Sequence, residues 1–428
     1  MTRPTLLVLC LGTAFGAPAE FTGQAATGTP APPVASATVP IDSVGAVASV
    51  REWSPIVAIV LRFDRGSLAD PAGLEGRARV AAEGAAGALE AALGGPGVSV
   101  EVGRGSTIFT VRALPDEWQS ALERSVASLA AGPSVDRLSE ALARHLERVS
   151  FEDGAPLAEF NERFDRLLAG GEVPSARRVD GTFQSVAALD PAALVAQAVF
   201  TTPGIAVVGP VDPVSVARSV GRPVATPGGG VVRLDGSQAR LAGPTEVPAN
   251  APQWSAEARE SVVGGVINSW TAAAFPISSA VPRTHLEFVA HILEERLDPY
   301  PPADGVFGIT AEVRDLTRGP ALVLVGTFRP DVGGGWEDEY ATRVAELVAA
   351  APPSPFFEGF LKRFRAVSLL AESSPEAEAR RLAVELGAGR IPRDLGAELR
   401  SLDPAAITSA AGQLGPPRML RFGPPDGG

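Results

Sequence analysis

The feature that most constrains this chain is a repeat. Leu189-Asp190-Pro191-Ala192-Ala193-Leu194 returns 213 residues later as Leu402-Asp403-Pro404-Ala405-Ala406-Ile407. Each copy reads as a helix start, with Asp as N-cap and Pro at the first helical position. A short strand and a Gly-Pro turn follow each one: Ile205-Ala206-Val207-Val208-Gly209-Pro210 and Met419-Leu420-Arg421-Phe422-Gly423-Pro424. One Asp-Pro helix start carries little information. Two copies with the same sequel, each closing half of the chain, argue for one unit used twice.

The halves read alike along their length. In the first, Ile56–Phe63 has strand character and Pro71–Leu93 helix character. Strands at Val98–Val102 and Thr107–Ala113 come next, then helices over Pro115–Ala131, Ser134–Val149, Leu157–Leu168 and Asp190–Val199. The second half repeats the order with a strand at Val266–Ala274, a helix at Arg283–Leu297 and strands at Gly305–Val313 and Ala321–Phe328. Its helices then fall at Glu337–Ala350, Pro355–Ala371, Pro375–Leu386 and Pro404–Gln413. Strands early, helices in a block and a returning last strand define an α+β class. The expected architecture is two homologous domains, each a mainly antiparallel sheet with helices packed on one face. Residues 43–222 form the first domain, the Pro/Gly-rich stretch 223–252 a linker, and 253–428 the second domain.

The start of the chain has the pattern of an export signal. Arg3 precedes an apolar run from Thr5 to Gly16, and Ala17-Pro18-Ala19 offers a small-x-small cleavage site, which places signal removal after Ala19. Residues 20–42, rich in Ala, Thr, Pro, Gly and Ser, read as a flexible lead. Leu9 before Cys10 is too large for a lipoprotein signal. Cys10 is the only cysteine, so cleavage leaves a chain with neither disulfide nor thiolate chemistry. A formal charge of −12 offers no footprint for nucleic acid. No second apolar run is long enough to span a bilayer, so the expectation is export to the periplasm or beyond without a transmembrane anchor.

The segment Pro55-Ile56-Val57-Ala58-Ile59-Val60-Leu61-Arg62-Phe63-Asp64-Arg65-Gly66-Ser67, followed by Asp70-Pro71-Ala72-Gly73-Leu74-Glu75-Gly76, resembles the opening of the pitrilysin/insulinase-type zinc peptidases, which include the mitochondrial processing peptidase. The resemblance runs over roughly residues 43 to 424, through Val208-Gly209-Pro210-Val211-Asp212 and the paired halves. It implies a His-x-x-Glu-His motif on the first helix, where two histidines one turn apart bind zinc and the glutamate activates water. This chain has Arg79 at the first histidine position, Ala82 at the base and Glu83 at the second histidine. Arginine stays protonated and alanine has no acid–base group, so these degenerate positions hold no catalytic residue, cofactor or metal. No histidine stands between residues 43 and 144, so a shift of register restores nothing.

The remaining candidates are weaker. Glu140 and Glu147 have the spacing that the family uses for its third ligand and a supporting glutamate, yet read here as solvated charges on an amphipathic helix, with His145 at its surface or boundary. His291-Ile292-Leu293-Glu294-Glu295 lacks a second histidine, and His285 lies about 120° away round the helix. The family's substrate-holding arginine and tyrosine find Arg296, but Tyr300 sits among prolines and Phe307 occupies the strand position. Gly333-Gly334-Gly335 reads as a strand-to-helix turn. No phosphate-binding loop, dinucleotide fingerprint or nucleophile elbow is present.

The resemblance thus implies a non-catalytic protein, the inactive subunit of a hetero-oligomer with a zinc-bearing peptidase of the same family. The alternative is a free-standing scaffold that binds unfolded peptides or builds an envelope assembly.

Overall fold

The computed structural model describes residues 38–40, 44–169, 177–242, 257–277, 281–298, 303–316 and 319–424. The signal sequence and the lead up to residue 37 lie outside them, as does 243–256 of the expected linker.

The first half contains β1 (Thr38–Pro40), β2 (Ala46–Val50), β3 (Val57–Phe63), α1 (Arg77–Leu93), β4 (Val98–Val102) and β5 (Thr107–Ala113). Then come α2 (Trp118–Ala131), α3 (Val135–Glu152), α4 (Pro156–Ala169), the short α5 (Phe183–Ala187) and α6 (Pro191–Leu194), β6 (Gly204–Gly209) and α7 (Pro213–Val220). Its sheet is extended by β7 (Val224–Ala225), β8 (Gly230–Val232) and β9 (Gln238–Ala242). The second half contains β10 (Ala258–Val263), β11 (Ser269–Pro276), α8 (Arg283–Leu297), β12 (Val306–Leu316) and β13 (Gly319–Phe328). It ends with α9 (Trp336–Ala349), α10 (Ser354–Ala371), α11 (Pro375–Gly387), α12 (Leu395–Ser401), α13 (Pro404–Ala411) and β14 (Arg418–Gly423).

Five strands have the same order in both sheets, β2-β6-β3-β5-β4 and β10-β14-β11-β13-β12. The directions match too. β2 and β6 are parallel, as are β10 and β14, and the other neighbours in each set are antiparallel. The repeated Asp-Pro segments do what their sequence requires. The Asp190 carboxylate accepts from the Ala192 amide at 3.0 Å and Asp403 from Ala406 at 2.7 Å, each with proline in the first turn. Each helix start leads to the strand that runs between β2 and β3, or between β10 and β11, in its sheet. The linker expectation fails over 223–242, where β7, β8 and β9 continue the first sheet beyond β2. Pro and Gly mark turns there, and the short apolar runs between them find partners only at the edge of a sheet built elsewhere.

Each sheet is covered on both faces. One face of the first sheet packs on α1 and α2 through Ile59, Leu61, Phe109, Ala82, Ala85, Leu89 and Leu122. Its other face, Ala58, Val60, Ala206 and Val208, is covered by Ala379, Leu382, Ala383 and Leu386 of α11, from the second half. The second sheet mirrors this. Ala273, Phe275 and Leu324 face α8, α9 and α10, while Ala272, Ala274, Val323, Leu420 and Phe422 are covered by Phe160, Phe164 and Leu168 of α4, from the first half. By element order α4 and α11 are counterparts, so the two halves exchange equivalent helices. Double coverage explains why β3 reads as the unbroken apolar run Val57-Ala58-Ile59-Val60-Leu61 rather than as an alternation.

A polar network fixes α11 between the halves. Its two buried glutamates lie seven residues apart and point to different halves. Glu378 accepts from Ser49 Oγ at 2.6 Å and Arg51 Nε at 2.5 Å at the end of β2. Glu385 accepts from Arg381 and from the Arg393 amide, both at 2.9 Å, and pairs with the Arg393 guanidinium. Burial alone would disfavour these carboxylates, and the arginines make it tolerable.

The exchanged helices make the halves interdependent. Phe160 is almost fully buried and its ring lies 6.2 Å from Trp270 and 6.4 Å from Phe422. Phe160→Ala should therefore cost about 3–4 kcal/mol and lower one shared unfolding transition, followed by far-UV dichroism and tryptophan fluorescence. An early transition confined to either half would contradict this coupling.

Candidate functional site

α1 begins where the sequence places a glycine. Gly76 caps the helix at φ +90°, and a Cβ there would stand 2.6 Å from the Asp180 carbonyl oxygen. The Asp70 carboxylate caps the same helix start, accepting from the Gly76 amide at 3.1 Å and the Ala78 amide at 3.0 Å. Burial pushes the Asp70 carboxyl up to about 6, against the backbone donors and Arg77. Farther along, Gly84 lets α3 approach closely, since a Cβ would meet Leu138 Cδ2 at 2.7 Å. The crossing of α1 and α3 thus brings Arg79 and Glu83 near α3 and the segment around Asp180.

Each of those positions has a structural partner. Arg79 donates from Nε to Asp180 Oδ1 at 2.6 Å. Ala82 is fully buried in the core against the first sheet. Glu83 accepts from Arg148 Nη2 at 2.6 Å. His145, expected at the surface or boundary, is fully buried beside them. Its Nε2 lies 2.7 Å from the Asp180 carbonyl oxygen, and its Nδ1 meets Arg148 Nη2 and lies 3.9 Å from Glu83. A carbonyl only accepts and a guanidinium only donates, so Nε2 carries the proton and Nδ1 is the acceptor. This is a neutral imidazole with both nitrogens engaged. Sequence reasoning left His145 at the surface or boundary and passed over Arg148, because only the helix crossing shows which face of α3 meets α1; the one available signal was the i, i+4 spacing of His145 with buried Ala141 and Val149.

Glu140 and Glu147 are exposed, as expected for solvated charges. Glu140 pairs with Arg137 at 3.0 Å and lines a shallow groove with Gly87, Glu90 and Arg144. The 177–182 segment is held by further pairs: Arg104 donates to the Arg177 carbonyl at 2.9 Å, and Arg178 donates to Asp153 at 2.7 Å. In the second half, His291 Nε2 lies 3.1 Å from Glu295, its ring beside those of Phe288 and Phe364, and Glu295 binds Arg363. Glu294 accepts from the Ala311 amide at 3.2 Å. Arg296 lies 3.8 Å from Glu346, Phe307 is exposed on β12, and Tyr300 lies outside the described residues. Gly333–Gly335 form the turn into α9, with Glu337, Asp338 and Glu339 in its first turn. Among the described residues, no three His, Cys, Asp or Glu side chains stand together to hold a metal ion. No helix among them is long and apolar enough to cross a membrane.

Two expectations follow for the α1–α3 contact. Burial holds the His145 imidazole below its ordinary range, opposed by the Asp180 carbonyl, Glu83 and Asp180, and assisted by Arg148. A histidine depressed in the folded state contributes stability that is complete above about pH 6.5 and is lost as pH falls through its folded value. Between pH 7 and pH 5, wild type should lose more stability than His145→Gln, whose amide keeps one donor and one acceptor; matched urea midpoints at both pH values measure this. Equal losses would remove His145 from the account. The second expectation concerns Arg79→His, Ala82→Glu and Glu83→His combined. Glutamate at the buried Ala82 position costs about 3 kcal/mol or more. Elemental analysis and thermal unfolding should show destabilisation without a stoichiometric gain of zinc.

No protein-family model matches the sequence, and no curated protein is detectably similar to it. Solved structures are similar in fold. A peptidase M16 inactive domain from Pseudomonas fluorescens is 16% identical with a TM-score of 0.64, over 91% of this chain and 97% of that one. A protease from Helicobacter pylori is 12% identical with a TM-score of 0.66, over 89% and 97%. The periplasmic protease PqqL from Escherichia coli is 14% identical with a TM-score of 0.60, over 87% of this chain but 43% of that one. The chain therefore has the two-part α+β fold of the pitrilysin/insulinase-type peptidases, the fold that its opening segment and paired halves resemble.

Proposed function

We propose that this chain is a non-catalytic peptidase-like subunit, which pairs with a zinc-bearing relative to form a peptide-processing chamber. The observation that carries the reading is the fate of the three motif positions. Arg79 is tied to Asp180, Ala82 is part of the core, and Glu83 is tied to Arg148. A site that had lost its ligands but kept its opening would leave these groups facing solvent; here Arg79 ties α1 to the Asp180 segment, Ala82 packs against the sheet, and Glu83 ties α1 to α3. The likeness to an M16 inactive domain supports the reading, as does the span over 43% of PqqL, a chain long enough for two such units. On this reading the halves are one duplicated domain, and the apolar start directs export to the compartment where the partner works. Pairing would contribute by closing over the partner's peptide site, which excludes water and aligns an extended peptide.

Co-expression with each zinc-bearing relative from the same genome, followed by pull-down and a peptide-cleavage assay, tests this. The pair should cleave faster than the partner alone, while this chain alone shows no activity and chelation leaves its unfolding temperature unchanged. A stable monomer that associates with none of them would leave the free-standing peptide-binding scaffold as the reading.

A further inference from the structure

His145 stands between a guanidinium and a carboxylate. Its ring is fully buried on α3, with Nε2 2.7 Å from the Asp180 carbonyl oxygen. A carbonyl oxygen only accepts, so Nε2 keeps its proton in both charge states of the ring, and that bond holds the imidazole in one orientation. A second proton must therefore enter at Nδ1. That nitrogen faces Arg148 Nη2, which also donates to Glu83 at 2.6 Å, and it lies 3.9 Å from the Glu83 carboxylate. In the neutral state one guanidinium nitrogen thus serves two acceptors. Once Nδ1 is protonated, two donors point at each other and one of them has to move.

Burial decides which one moves. The Glu83 side chain is 15% exposed and stands on α1 beside fully buried Ala82, so its carboxylate stays with the helix. The Arg148 side chain is 44% exposed, and exposed Glu152, one turn along α3, attracts it. Arg148 can therefore swing toward water and Glu152 at little cost. The place that it leaves lies between Glu83 and Nδ1, where the imidazolium takes over the carboxylate. The other charged groups around the ring are already held. Arg79 of α1 binds the Asp180 carboxylate at 2.6 Å, and Arg178 binds Asp153 at 2.7 Å. The short helices α5 and α6, packed on α3, contain no titratable side chain.

We propose that His145, Glu83 and Arg148 form an acid-sensitive latch, in which protonation of His145 transfers the Glu83 carboxylate from Arg148 to the imidazolium and releases Arg148 to the outer side of α3. The two helices stay joined in both states, through Glu83–Arg148 at neutral pH and through Glu83–His145 in acid. The outer side of α3 thus gains a cation no longer tied to α1, and gains it only in acid. Burial, the largest influence on the ring, holds His145 below its ordinary range and places the exchange below about pH 6.5. The latch is independent of the pairing proposed above, because it requires no second protein.

The chain has three histidines, so nitrogen-15 histidine NMR of the full chain resolves each ring, and the signal lost in His145→Gln assigns this one. The readout is the ring itself, separate from the Asp70 carboxyl that titrates nearby at about 6. At neutral pH His145 should show a protonated Nε2 and a bare Nδ1, and acidification of the folded chain should protonate Nδ1 in one step. The exchange is read from Glu83→Gln, Arg148→Met and the double variant, compared by urea midpoints above and below that step. Above it, the double variant should lose less than the sum of the single losses; below it, the losses should add. Glu83→Gln should move the His145 step to lower pH and Arg148→Met to higher pH, by about half a unit or more, in variants whose far-UV dichroism matches wild type. A His145 that stays neutral down to acid unfolding would overturn the proposal, and wild type alone suffices for that measurement. So would equal non-additivity on both sides of the step, which would mean that Arg148 never leaves Glu83.

Discussion

The structure depends on one reciprocal contact, in which each half lends a helix to the other half's sheet. A five-stranded sheet backed by helices on one side still exposes an apolar face, and Ala58, Val60, Ala206 and Val208 form such a face in the first half. The helix that removes it from water is α11, which comes more than 160 residues later. The second sheet is in the same position and is closed by α4. Neither half can satisfy its hydrophobic surface alone, so burial of apolar area and the ordering of the two halves are a single event. The ion pairs at Glu378 and Glu385 add direction to this contact. Apolar packing would let α11 slide or rotate, whereas two buried carboxylates, one facing Arg51 and one facing Arg393, fix its register.

The same economy of partners governs the start of α1 and its contact with α3. Here Glu83–Arg148 joins the two helices, while Arg79 of α1 and His145 of α3 both meet Asp180. These charged and polar groups are engaged with one another, and what they supply is cohesion.

Much of this was legible in the residues. The helix at Arg283–Leu297 coincides with its expected bounds, and most others shift by one to three residues at an end. α1 starts at Arg77 rather than Pro71, because Gly76 in the left-handed conformation ends the preceding turn. The strands without a counterpart in the sequence reading, β1 (within the expected flexible lead), β2, β7, β8, β9 and β10, are short segments whose order comes from pairing with other strands. Ala46-Val47-Ala48-Ser49-Val50 has weak strand character by itself and becomes fully ordered between β6 and β7. Glu140 and Glu147 were read correctly as solvent-facing. His145, expected at the surface or boundary, is buried, and Arg148 carries no expectation, since an amphipathic helix bears no mark of which neighbour each side chain will meet.

The sequence by itself determined the α+β class, the two Asp-Pro helix starts and the identity of the side chains at Arg79, Ala82 and Glu83. All of these are local: they rest on side-chain identity, on spacing within a turn or two, or on comparing one stretch with another. Only the tertiary structure decided which half's helix covers which sheet, that residues 224–242 join the first sheet, and that Glu83 finds Arg148. It also decided that the apolar side of α10 stays uncovered while that of α11 is buried. The physical reason is that amphipathic helices of similar pattern compete for the same apolar faces, and the winner is set by the packing of the whole chain.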